Sequence, residues 1–135
     1  MRFQFCINAT KDLNAWKVDD KFAYVQIVAI LQQISSDPQL EDMLLERSAD
    51  NDGISFSRWV QQFRKGNDLY RIKTITPEGY SNAKWRIIYA YLPISRSRSE
   101  PEFHILALPH RDKFDYDNPE DCITKRIIAD LRLLY

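Results

Sequence analysis

Three short strand-like runs in the second half of the chain, each carrying a cation, limit what it can fold into. They read Leu69-Tyr70-Arg71-Ile72-Lys73, then Lys84-Trp85-Arg86-Ile87-Ile88-Tyr89-Ala90-Tyr91, then Phe103-His104-Ile105-Leu106-Ala107-Leu108-Pro109-His110-Arg111, with Tyr116 close behind. A strand sends successive side chains to opposite faces. Arg71 and Lys73 are two apart and therefore share a face. Arg86 stands near the start of the second run, and Arg111 just beyond the end of the third. Pairing of the three runs would bring several positive side chains onto one surface, as a phosphate-rich ligand requires.

The rest of the chain supplies a frame for this sheet. At 135 residues, 44% of them hydrophobic and 13% aromatic, it is read as one domain, residues 1–135, with a real core. Residues 2–7 alternate as an opening strand. Thr10 caps a helix from Lys11 to about Lys17, and Asp19 or Asp20 caps a longer one carrying Phe22, Val25, Ile27, Val28, Leu31 and Ile34 at helical spacing. Pro38 follows an Asp37 cap and opens a third, short helix. Asp50-Asn51-Asp52-Gly53 is a turn signal. It fails as a calcium loop, because its first position would be Ser48 and its twelfth Trp59 rather than a glutamate. Ser57 to Lys65 is ambiguous: Ser57 can cap a helix carrying Trp59, Val60 and Phe63, and Gly66-Asn67 ends whatever precedes it. Strands are expected at about 69–75, 84–92 and 103–109. Asn118-Pro119-Glu120-Asp121 starts a last helix with Ile123, Ile127, Ile128 and Leu131 on its apolar stripe. The expected fold is α+β: a mainly antiparallel sheet of about four strands, N-terminal helices packed on one face, and a C-terminal helix.

Charge is neutral overall but unevenly placed. Arg2–Ser57 holds five Lys/Arg against nine Asp/Glu, whereas Arg58–Arg98 holds nine against two, Asp68 and Glu78. A local basic field binds phosphate even on a neutral chain. Cys6 and Cys122 have no metal-ligand or C-x-x-C spacing, which suits a reducing, cytoplasmic setting. The first residues lack a signal peptide's apolar segment, and no run approaches the roughly 18 apolar residues of a membrane span. Neither a metal nor a cofactor is expected.

The residues also suggest chemistry. RNA cleavage by a 2′-OH needs a base for the 2′ proton, cations for the phosphorane, and a proton for the 5′ leaving oxygen. Clustered Arg and Lys meet the second need. His110 can serve as acid or base from its ordinary pKa. Lys73 can be a base if crowding depresses its pKa, and Tyr116 can act if nearby cations lower its own. Other readings stand beside these. Arg71 and Arg86 can be plain cross-strand cations paired with Glu78 or Asp68, and His110 can be structural, as His104 is read. Trp85, Tyr89 and Tyr91 are read as core. Tyr70 or Tyr80 can stack a splayed base, and Lys84, Arg96 and Arg98 can touch outlying phosphates.

The pattern resembles the RelE/ParE superfamily of bacterial toxins. Tyr70-Arg71-Ile72-Lys73 resembles that family's Tyr-basic-apolar-basic strand, and Trp85-Arg86-Ile87-Ile88-Tyr89 its aromatic-Arg-apolar-apolar-Tyr strand. The Ile105–Arg111 stretch with Tyr116 resembles its last strand, ending in a basic pair and then a Tyr. The first half is similar only in outline, and the Pro93–Pro101 connection is longer. The resemblance implies a type II toxin that cleaves mRNA, often on the ribosome, and is neutralised by a cognate antitoxin. It implies phosphate contacts by Arg71 and Lys73, a phosphate-stabilising Arg86, a leaving-group or transition-state role for Arg111, and a catalytic Tyr116. The alternatives are a ParE-like inhibitor of DNA gyrase and a non-catalytic RNA-binding module.

Overall fold

A computed structural model describes residues 3–51, 53–76 and 83–134. The chain runs β1 (Phe3–Phe5), α1 (Ile7–Asp19), α2 (Lys21–Ser36), α3 (Pro38–Asp42), a 3-10 turn (Met43–Leu45), β2 (Ser48–Asn51), β3 (Ile54–Arg58) and α4 (Val60–Arg64). It continues with β4 (Leu69–Thr74), β5 (Ile87–Leu92), β6 (Glu102–Ala107), a 3-10 turn (Arg111–Lys113) and α5 (Cys122–Arg132). The strands form one sheet in the order β1-β6-β5-β4-β3-β2. Only β1 and β6 are parallel; the other neighbours are antiparallel.

The expected α+β class therefore holds, but the sheet is mixed and six-stranded rather than mainly antiparallel with about four strands. The two further strands, β2 and β3, lie around the stretch Asp50-Asn51-Asp52-Gly53, read only as a turn, and β3 overlaps just the first residues of the ambiguous Ser57–Lys65 segment. Gly53, at φ +81°, occupies the left-handed conformation that the tight turn after β2 requires. Beyond it, Ile54 and Phe56 alternate with Ser55 and Ser57, and the two apolar side chains bury against Tyr70 and Ile72 of β4. The parallel pair arises because α1 and α2 separate β1 from the rest of the sheet, leaving it free to run alongside β6.

Helices cover both faces. α1 and α2 bury Ala9, Trp16, Ile27 and Ile34 against Tyr70, Ile72, Trp85, Ile87 and Tyr89. Each such aromatic removes about 150–250 Å² from water, worth roughly 4–6 kcal/mol before chain entropy. On the reverse face, α5 packs Ile127 and Leu131 against Leu69, Ile88, Ala90 and Leu106. Asp12 ties the helices of the two faces together: its carboxylate accepts from Arg126 at 2.6 and 3.1 Å and from the Leu108 amide at 2.9 Å.

Caps explain where the helices begin. Asp20 accepts from the Ala23 amide at 3.2 Å, and Asp37 from that of Gln39 at 2.9 Å. α1 starts earlier than Thr10, because the Cys6 thiol accepts from the Ala9 amide and the Thr10 hydroxyl turns back to the Cys6 carbonyl. α5 starts later than Asn118. Asn118 caps a turn by accepting from Glu120, while Asp121 accepts from both Ile123 and Thr124 and begins the helix. None of the described helices is long and apolar enough to cross a membrane.

Candidate phosphate-binding site

Register places the cations before any side-chain contact is considered. On β4, Tyr70 and Ile72 belong to the core under α1 and α2, so Arg71 and Lys73 point to the reverse face. Arg71 sits opposite Ser57 of β3 and Ile88 of β5. Lys73 sits opposite Ser55, which in turn faces Asp50 of β2. On the same reasoning Arg86, between the core residues Trp85 and Ile87, projects to the reverse face beside Lys73.

Arg111 joins through backbone pairing after β6 ends. The Arg86 amide donates to the Pro109 carbonyl at 3.0 Å and the Arg111 amide to the Lys84 carbonyl at 2.7 Å, on either side of a Trp85–His110 bridge. Guanidinium nitrogens of Arg86 and Arg111 both donate to the Ala83 carbonyl, at 3.2 and 3.3 Å. Arg86 also donates to the Trp85 carbonyl at 2.9 Å, and Arg111 lies 3.6 Å from the Asp112 carboxylate.

Tyr116 closes the site from the loop before α5. Its ring meets Trp59 and Phe114 edge to face, with centroids 5.2 and 4.4 Å away. The Arg71 guanidinium lies 4.7 Å from the centre of that ring, and Arg71 Nε donates to the Ser57 hydroxyl at 2.7 Å. The Tyr116 hydroxyl is buried, with the Arg71 guanidinium beside it.

Electrostatics follow from this crowding. Burial pushes the Lys73 ammonium below its usual pKa, and the Arg71 and Arg86 charges push the same way, with Asp50 opposing them. Arg86 is also lowered, first by burial and then by Arg71 and Arg111, against the pull of Tyr116 and Asp112. Tyr116 behaves differently from the sequence-based expectation that clustered cations would lower it. Arg71 and Arg86 do pull it down, but burial is larger and leaves the phenol above its ordinary value. This corner of the sheet therefore crowds its cations, with the Lys73 and Arg86 pKa values lowered and that of the Tyr116 phenol raised.

Arg71, Lys73, Arg86, Arg111 and Tyr116 thus share one face. Other residues singled out from the sequence do not. His110 points the opposite way, stacked on Trp16 of α1 at 5.7 Å, with Nδ1 accepting from the Asp112 amide. Lys84 reaches Asp20 at the start of α2, at 3.5 Å. Arg96 and Arg98 lie in the β5–β6 connection, at the far end of β5 from Arg86 and so about 20 Å away along the strand. There Arg98 donates to Glu102 at 2.9 Å and to the Pro93 carbonyl. Tyr80 and Glu78 fall outside the described residues. Trp85 and Tyr89 are fully buried and Tyr70 nearly so, while Tyr91 is only partly covered.

Sequence reasoning missed the contribution of the β2–β3 hairpin, which lines the site with Asp50, Ser55 and Ser57. Its signal was present in the alternation Ile54-Ser55-Phe56-Ser57 after Gly53. A cavity of about 270 Å³ next to Arg71 and Tyr116, reaching Gln61 and Asp117, was also missed. No family model, no curated protein and no solved structure matches this chain.

Proposed function

We propose that the chain is a RelE-like endoribonuclease: a toxin that cuts mRNA, stops translation in the cytoplasm, and is held in check by a cognate antitoxin protein. One observation carries this reading, the gathering of Arg71, Lys73, Arg86 and Arg111 on one face of the sheet, with Arg71 against the Tyr116 ring. Cations at such density repel one another. The negative charge of a dianionic phosphorane relieves that repulsion at the moment of reaction.

The roles follow from the environments. Lys73, shifted toward the neutral amine, takes the proton from the 2′-OH as its oxygen bonds to phosphorus. Arg71, Arg86 and Arg111 hold the charge on the non-bridging oxygens. The 5′ oxygen takes a proton from water as its bond to phosphorus breaks, leaving a 2′,3′-cyclic phosphate, while the Tyr116 ring holds Arg71 in place from beneath.

The test is induced expression with primer-extension mapping of transcripts. The expected result is growth arrest with discrete mRNA cuts, both lost in Arg86→Ala and Arg111→Ala while the proteins remain folded. Arrest with intact mRNA and a DNA-damage response would support gyrase inhibition instead. Harmless expression with salt-sensitive RNA binding would support a module without chemistry.

A further inference from the structure

The cavity beside Tyr116 is lined by Arg58, Trp59, Val60, Gln61, Arg71 and Asp117 as well as Tyr116 itself. Arg71 and Tyr116 belong to the phosphate site, so the cavity borders it. Its far wall joins two exposed polar side chains from different elements: Gln61 Nε2, on α4, donates to Asp117 Oδ1, in the loop before α5, at 2.8 Å. A carboxylate cannot donate, so this bond fixes which way the Gln61 amide points. Gln61 Oε1 is left as an acceptor, and the Asp117 carboxylate keeps lone pairs on both oxygens. The wall is therefore rich in acceptors, although it lies at the edge of a basic face.

We infer that this cavity reads a guanine base of single-stranded RNA through Asp117 and Gln61. Single-stranded bases are recognised by hydrogen bonds to their Watson–Crick edges. Of the four bases, only guanine offers two adjacent donors there, N1–H and N2–H, which is the pair a carboxylate accepts side by side. Uracil offers one donor between two acceptors, and adenine and cytosine each offer one amino group beside an acceptor nitrogen. The half-exposed Val60 adds an apolar wall for the ring. The position beside the scissile phosphate rests on the ribonuclease reading. The base preference is a binding property and does not depend on cleavage.

The experiment is equilibrium dialysis of the full chain with the 3′-monophosphates of guanosine, adenosine, cytidine and uridine. Guanosine monophosphate is expected to bind at least about tenfold more tightly than the others, as one bidentate base contact provides. Asp117→Asn replaces an acceptor oxygen with a donor of the same shape and is expected to abolish that preference, while Gln61→Ala reduces it. Circular dichroism checks that both exposed variants keep the fold. Equal binding of all four nucleotides, binding of none, or a preference that survives Asp117→Asn would overturn the inference. Mapped cuts with no guanine beside them would also overturn it, leaving the nuclease reading standing. Guanine-selective binding by a chain that cuts no RNA would do the reverse.

Discussion

The two faces of the sheet are formed by the same strands one residue out of step, yet they have opposite characters. Toward α1 and α2, β4 and β5 present Tyr70, Ile72, Ile87 and Tyr89, all essentially buried. Toward α5 the same strands present Leu69, Arg71 and Lys73, then Ile88 and Ala90, with Arg86 just ahead of β5. α5 covers only the apolar part of that face, around Leu69, Ile88 and Ala90, and leaves the end carrying Arg71, Lys73 and Arg86 less covered. Like charges can gather only where water or a counter-charge reaches them, because an unpaired charge in a dry interior is very costly. The comparison separates positions chosen for packing from positions kept at a cost to packing.

Substitutions on the packed face should have the largest effect on stability. Tyr89→Ala removes a fully buried ring stacked on Tyr70 and a hydroxyl that donates to the Leu44 carbonyl. It should cost about 3–5 kcal/mol, read by denaturant unfolding. A loss below about 1 kcal/mol would mean that this face is not the principal core.

Arg86→Ala should separate activity from stability. Cleavage is expected to fall by roughly 10²–10³, the usual cost of one preorganised donor. Stability should change by no more than about 1 kcal/mol, because relief of repulsion from Arg71 and Arg111 offsets two lost hydrogen bonds to carbonyls. A large destabilisation with activity intact would make the two faces alike and remove the distinction.

Gly53→Ala tests the hairpin that widens the charged face. An added side chain at φ +81° is strained in the left-handed region, and its Cβ would meet the Ile75 carbonyl oxygen at 3.4 Å. The expected cost is about 1–2 kcal/mol by thermal or chemical unfolding. Weaker RNA binding should accompany it if β2 and β3 help to shape the site.

The smallest effect is a slope with pH. The pKa of Lys73 is depressed in the fold below its ordinary 10.5. Between the folded-state value and 10.5, the unfolded chain holds the proton and the folded one does not, so stability contributed by this group rises with pH across that window. Below the window, both states are protonated and the fold bears the full penalty of the buried charge. Lys73→Met should remove the slope, as measured by unfolding at several pH values. It should also abolish the increase in cleavage with rising pH that a lysine base produces.

Much of this fold was legible because strands and caps are local. Alternation marked β4, and short apolar runs bounded by turn signals marked β5 and β6, each to within a few residues; β5 and most of β6 are buried on both faces. Asp20 and Asp37 marked their helix starts because a carboxylate reaches only two or three residues ahead. The β2–β3 hairpin was obscured by its serines and by Asp50-Asn51-Asp52-Gly53, which signals a turn but not what the turn connects. Asp121 rather than Asn118 became the cap of α5, a choice between two competent acceptors three residues apart.

The site was legible in part for the same reason. The chain alone determined that Arg71 and Lys73 share a face and that Arg86 follows the opposite parity to Trp85, because both are matters of covalent alternation. Whether Arg111 would meet them, and whether His110 would accompany it or turn away, depended on the bridge between Trp85 and His110. That pairing joins residues distant in sequence and sends neighbouring side chains to opposite faces. Burial was likewise decided only in three dimensions. The phenol of Tyr116 was expected to yield to the surrounding cations, but Trp59 and Phe114 enclose it, and desolvation outweighs their field. Alternation follows from the geometry of a single strand. Convergence and desolvation require the other strands and helices to be in place.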